Sequence, residues 1–154
     1  MNILIRPAQV NDATAICAVV RNSIEHCCQL DHKNDPALLA GWLANKTVEN
    51  TERWLNNTQN IALVAQVGAE VQGFAMAKQD ELMLLYATPQ VRYQGVGKAL
   101  LQAIEEKLKA ANVTLLRLES TLTAQDFYQR NGFQKTGELD LSFGIPAQAM
   151  SKSI

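Results

Sequence analysis

The run E-L-M-L-L-Y-A-T-P-Q-V-R-Y-Q-G-V-G-K-A-L-L, from Glu81 to Leu101, decides how this chain folds. Glu81 to Ala87 is an apolar run suited to a buried strand, Pro89 marks a turn, and a helical pattern follows. Gly95 and Gly97 stand where the turn becomes the helix. Glycine there tolerates positive φ and lets a bulky group approach the backbone. The first amides of a helix have no intrahelical acceptor, and the helix dipole adds partial positive charge at the same end. A strand-turn-helix junction of this kind is a site for phosphate.

Three glycine-loop patterns compete for that phosphate. A dinucleotide fingerprint requires a third glycine where Leu100 stands. A P-loop requires glycine at Arg92 and Ser or Thr at Ala99. Both fail, and with them a nucleotide-binding domain. Arg92-Tyr93-Gln94-Gly95-Val96-Gly97 remains, an R/Q-x-x-G-x-G/A pattern between a strand and an amphipathic helix. Further on, Phe127-Tyr128-Gln129-Arg130-Asn131-Gly132-Phe133 closes a second helix as F-Y-x-x-x-G-F. In this order and at this separation, the two motifs resemble those of the GNAT superfamily of acetyl-CoA-dependent N-acetyltransferases. The N-terminal segment, with Trp42 inside Leu38–Leu43, resembles the small bacterial branch typified by uncharacterised YafP-like acetyltransferases.

Composition sets outer bounds. The 154 residues fit one domain (1–154) with a single real core. With 47% hydrophobic and 19% charged residues the chain reads as an ordinary globular protein. A net charge of -1 recommends no nucleic-acid partner. No apolar run reaches the ~18 residues of a membrane span, and Met1 to Pro7 lacks the pattern of a signal peptide. Cys17, Cys27 and Cys28 are odd in number and without C-x-x-C spacing, so free thiols in a reducing cytoplasm are expected.

Read in order, Met1 to Pro7 is a strand, Asn11 to Cys28 a helix with Ala13, Ile16, Val20, Ile24 and Cys27 on one stripe, and Leu30 to Pro36 a polar loop. Helices follow through Leu38–Leu43 and Glu49–Leu55. Ile61–Val67, Val71–Ala77 and Glu81–Ala87 form a three-strand meander. Val96 to Ala111 is a helix with Val96, Leu100, Ile104 and Leu108 inward, Thr114–Glu119 a strand, and Thr123–Asn131 a helix capped at Asn131-Gly132. The tail holds one or two strands interrupted by Gly144 and Pro146. This order is α+β with a mixed central sheet flanked by helices, as in the GNAT fold.

The resemblance implies direct attack of an amine, a small molecule by expectation, on acetyl-CoA in a ternary complex. Arg92, Tyr93, Gln94, Gly95, Val96, Gly97 and Lys98 would hold the diphosphate. Leu85, Tyr86 and Ala87 would offer backbone to the pantetheine arm from a bulged strand. Tyr128 would be the general acid, since a phenol with a pKa near ~10 keeps its proton at neutral pH. Glu81 falls where the histone-acetylating branch places its catalytic glutamate; a water chain is the alternative base. The N-terminal helices and the final strands would build the acceptor pocket, with Trp42, Glu25, His26 and Asp31 as candidates. His26, Cys27, Cys28 and His32 match no zinc spacing, so no metal is expected. Related small acetyltransferases are often homodimers. A non-catalytic acetyl-CoA-binding or sensing module on the same fold is the other reading.

Overall fold

In the computed structural model, which describes residues 1–154, the chain opens with a strand, Ile3–Pro7 (β1). A 3-10 turn at Val10–Asp12 leads into four successive helices, Ala13–Cys27 (α1), Gln29–His32 (α2), Pro36–Leu43 (α3) and Val48–Asn56 (α4). Then come Asn60–Val67 (β2), Glu70–Lys78 (β3), Glu81–Ala87 (β4), Val96–Ala110 (α5), Leu115–Ser120 (β5), Gln125–Arg130 (α6), Gln134–Ser142 (β6) and Ile145–Ser153 (β7). The strands make one sheet in the order β1-β2-β3-β4-β5-β7-β6, parallel only between β4 and β5. No helix is long and apolar enough to cross a membrane.

Period-two alternation distributes the sheet between two layers. Leu63 and Ala65 of β2, with Ala75 and Ala77 of β3, face α5, where Val96, Leu100, Leu101, Ile104 and Leu108 are buried. Val64, Phe74 and Met76 face the other way, against Ile16, Val20 and Ile24 of α1. Gly73 sets how closely α5 approaches. A Cβ there would lie 2.7 Å from Val96 Cγ1 and 3.0 Å from Leu100 Cδ1.

Two segments depart from the expected layout. The stretch read as a polar loop contains α2, and Asp35-Pro36 begins a helix instead of ending a loop. Asp35 is the N-cap of α3, accepting from the Ala37 amide at 2.9 Å, with Pro36 at the first position, where its missing N–H costs nothing. One turn as short as α2 has little stability of its own. Side-chain bonds hold it: His32 Nε2 meets the Ile24 carbonyl at 3.0 Å, the Asn34 amide donates to His32 Nδ1 at 3.1 Å, and the distant Leu122 amide donates to Asp31 at 2.6 Å. In the tail, Gly144 does turn the chain, but Pro146 lies inside β7 opposite Leu141.

The organising strand carries a bulge. Met76 pairs with Leu84 but Ala77 pairs with Leu82, which leaves Met83 as an extra residue. It inverts the alternation of β4. Leu82 packs on the α5 side; after the bulge Leu85 and Ala87 take that side, while Leu84 and Tyr86 turn to the α1 side. Pairing with β5 ends at the same point, being confined to Glu81–Arg117 and Leu82–Leu118. From Met83 onward β4 has no partner on that side, and the sheet opens as a wedge.

Replacing Gly73 by Ala drives a methyl group into Val96, whose branched side chain has little rotamer freedom. Stability should fall by roughly 1–3 kcal/mol. Urea unfolding checks this, and an unchanged midpoint would mean that α5 shifts freely on the sheet.

Candidate active site

The wedge between β4 and β5 is the wall of a cavity of about 580 Å³. That volume lies within the range of small-molecule sites. Leu85, Tyr86 and Ala87 line it from the open side of β4. Arg92, Tyr93, Gly95, Val96, Gly97 and Lys98 line it at the head of α5, and Thr123, Asp126, Phe127 and Tyr128 from the α6 side. Ser23, Cys27 and Cys28 enter from the end of α1.

At the head of α5, Tyr93 has φ 65° and Gly95 has φ 89°, two left-handed residues that turn the chain into the helix. The first helical bond here runs from the Ala99 amide to the Gly95 carbonyl at 3.0 Å. The amides of Gly95, Val96, Gly97 and Lys98 have no acceptor in the chain. A Cβ placed on Gly95 would meet nothing within 4 Å, so this end is open. Gly97 instead lies against Phe127, whose ring would be 3.4 Å from an added Cβ. The Gln94 amide, expected in the cradle, donates to the Val91 carbonyl at 3.2 Å, and Gln94 is not among the lining residues. A tight turn uses it up.

The charges suit an anion. Arg92, Lys98 and Arg130 line the cavity against one carboxylate, Asp126. The Arg92 guanidinium lies 4.8 Å from the centre of the Tyr93 ring, which is itself 85% exposed. Stacking of this kind restricts a long side chain without consuming its charge.

Tyr128 is 7% exposed and packed edge-to-face between Phe127 and Phe133, with ring centres 5.3 and 5.4 Å away. Its hydroxyl forms no hydrogen bond in the chain, whereas every fully buried side-chain oxygen and nitrogen has a partner. The hydroxyl therefore opens to the cavity. Burial pushes this phenol well above the ordinary tyrosine range, because the phenolate would lose its hydration. Tyr86 is raised too, first by burial and then by the negative potential of Cys28, Tyr128 and Asp31, with the Trp42 indole opposing.

Besides Gln94, five expected residues lie outside the cavity, His26 and Asp31 among them. Glu81 starts β4 at the closed end of the wedge, opposite Lys78 and Arg117, and does not line the cavity. Spacing along a strand placed it by count, but the bulge and the turn decide where it points. Trp42 stands behind Tyr86 against the α1-side core, edge-on to His32 with centres 6.3 Å apart. Glu25 is on the outer face of α1, 3.5 Å from His26, which is also exposed. The Cys28, Thr123 and Asp126 positions were not expected. No short-range pattern marks them, because two segments far apart in the chain, the α1–α2 junction and the start of α6, bring them together. No group of three or more His, Cys, Asp or Glu side chains is arranged to hold a metal ion.

With fold and site in view, the chain can be set beside known proteins. It belongs to the GNAT acetyltransferases: residues 35–154 match the family model described as acetyltransferase (GNAT) domain. The uncharacterised protein YyaT of Bacillus subtilis is 32% identical over 78 residues, 51% of either chain, so the match spans about half of that relative. A GCN5-related N-acetyltransferase from Rhodopseudomonas palustris superimposes with a TM-score of 0.89 at 23% identity, over 100% of this chain and 97% of its own. The PaiA N-acetyltransferase of Thermoplasma acidophilum, solved in complex with coenzyme A, gives 0.82 at 22% identity with both chains fully covered. YncA of Salmonella typhimurium, solved with acetyl-CoA, gives 0.74 at 18%, over 99% of this chain and 94% of its own. At these identities the likeness is one of fold.

Cys28 offers a direct probe of the cavity's interior. Its thiol is pushed up to about 12, by burial first and then by Asp31 and Cys27, with Arg92 opposing. The thiolate is the reactive form, so at pH 8 native Cys28 should react with iodoacetamide roughly 10³-fold slower than an ordinary cysteine of pKa ~8.5. The rate should climb about tenfold per pH unit as the thiolate fraction grows. Peptide mass spectrometry reads the labelling; equal rates in native and denatured protein would contradict the burial.

Proposed function

We propose that the protein is an N-acetyltransferase that binds acetyl-CoA and an amine together and transfers the acetyl group by direct attack. One observation carries this reading. Four unpaired amides at the head of α5 open into the same cavity as an unpartnered strand edge and the free hydroxyl of Tyr128. The solved GNAT proteins with coenzyme A or acetyl-CoA bound add support at the level of the fold.

The residues present fit such a ligand. The amides of Gly95 to Lys98 would hold the diphosphate, backed by the α5 dipole and by Arg92 and Lys98. The open side of β4 at Leu85, Tyr86 and Ala87 would offer main-chain groups to an extended arm, as an added strand does. Acetyl-CoA supplies a thioester whose carbonyl carbon accepts the amine and whose sulfur departs. Tyr128 would give its proton to that sulfur. A phenol keeps its proton across the neutral range and so has one to give.

The amine must lose a proton before it attacks, since ordinary alkylamines are mostly charged at pH 7. With Glu81 outside the cavity, that proton would leave through water at the mouth. Ser23, Cys27 and Cys28 would form the acceptor wall, a small uncharged surface suited to a small-molecule amine.

Calorimetry with coenzyme A tests the cradle. Gly95→Ala places a methyl group in the open end and strains a residue at φ 89°. Affinity should fall about tenfold or more, a change of ~1.4 kcal/mol. Unchanged affinity would remove these amides from the ligand site.

Thiol release from acetyl-CoA over a panel of amines, including an aminoglycoside, a polyamine and an alanine-ended peptide, tests turnover. Tyr128→Phe should lower kcat by about 10²-fold or more while leaving coenzyme A affinity nearly unchanged. Full turnover in that variant would exclude Tyr128 as the acid. Binding without turnover in the wild type would leave an acetyl-CoA-binding module.

A further inference from the structure

Asp31 is 1% exposed, and its carboxylate is committed to a segment more than ninety residues away. Oδ1 accepts from the Leu122 amide at 2.6 Å, and Oδ2 accepts from the Thr123 hydroxyl and, at 3.3 Å, from the Thr123 amide. All three donors are neutral, and no cation pairs with this carboxylate. Hydrogen bonds to an ionised acceptor are roughly twice as strong as neutral ones, and a buried charge without them is costly. The carboxylate therefore holds its donors in a single arrangement.

Those donors sit at a sensitive place. Leu122 and Thr123 lead into Ala124, the N-cap of α6, whose carbonyl receives the Tyr128 amide at 3.0 Å. The Thr121 hydroxyl accepts from the Ala124 amide at 3.2 Å, so the whole entry to α6 is fixed by side chains. On its own side, Asp31 lies one helical turn beyond Cys28, which lines the cavity opposite α6. With six residues, α6 cannot define its own position.

We infer that Asp31 is a positioning residue for Tyr128. By tying α2 to the entry of α6, it sets where the phenol hydroxyl stands relative to the wall formed by Cys28 and Tyr86. The inference rests on the reading of Tyr128 as proton donor.

Asp31→Asn keeps the shape but exchanges one acceptor oxygen for an amide that cannot accept. One backbone donor remains satisfied and the Thr123 contact is lost or reversed. Thr123→Val removes the hydroxyl donor alone and serves where the first variant fails to fold. Each is combined with Tyr128→Phe. Thiol release from acetyl-CoA is followed with the fastest amine of the panel or, with none accepted, with water. Coenzyme A binding is measured in parallel.

Asp31→Asn should lower kcat about tenfold or more, with coenzyme A affinity and the KM for acetyl-CoA within about twofold. Thr123→Val should lower kcat by a smaller factor. Each double variant should be no slower than Tyr128→Phe alone, because an absent hydroxyl cannot be misplaced. Multiplied losses in the double variants, or full turnover in Asp31→Asn, would reduce Asp31 to a structural tie and overturn the inference. Full turnover in Tyr128→Phe would instead overturn the reading of Tyr128, and the inference with it.

Discussion

One unmatched residue, Met83, determines the use of this sheet. A strand that paired along its whole length with both neighbours would bury its polar backbone and leave no room for a ligand. The bulge bends β4, increases its local twist and ends its pairing with β5 after Leu82. The main-chain groups beyond that point are left for another partner. The same extra residue inverts the facing of the strand, so Leu85 and Ala87 stay with the α5 core while Tyr86 turns toward Cys28 and Trp42.

The rest of the site is built from helix ends. At the head of α5, two left-handed residues turn the chain into the helix and four amides are left without an acceptor, where the helix dipole is also positive. At α6 the arrangement is different. A short helix is held by Asp31 at its entry and by the Phe127, Tyr128 and Phe133 rings along its length. The Lys152–Glu105 pair, 2.7 Å apart, joins β7 to α5, and the Lys152 chain covers Gly132 at the end of α6. The head of α5 and the phenol thus hang on the same framework, with Gly97 against the Phe127 ring.

The α1 wall gives the cavity an individual character. No acidic side chain reaches the α1 wall of the cavity, where Ser23, Cys27 and Cys28 present small neutral groups. Asp31 is the nearest buried charge on that side, and its oxygens are already engaged. A cationic substrate would feel its field, as the Cys28 and Tyr86 groups do, without forming an ion pair with it.

Where a local rule governs, the residues alone were informative. Strand β4 begins and ends where its apolar run does, and α5 follows the glycine pair with the expected stripe of Val96, Leu100, Ile104 and Leu108. Most of the lining was also legible, because motif and turn lie in one short segment. Elsewhere local rules misled. Asp35-Pro36 reads equally as a turn or a helix start, and α2 exists because distant groups bind it. Glu81, Trp42 and Glu25 were placed by spacing or residue type, which carry no information about where a side chain points once a bulge or a packed neighbour intervenes. The amino-acid order by itself determined the strands, the helices and the left-handed glycine turn ahead of α5, since periodicity and glycine conformation act over a few residues. The tertiary structure alone decided which atoms meet in the cavity, since Cys28, Tyr86, the Thr123 segment and Tyr128 converge only through packing and hydrogen bonds between elements far apart in the chain.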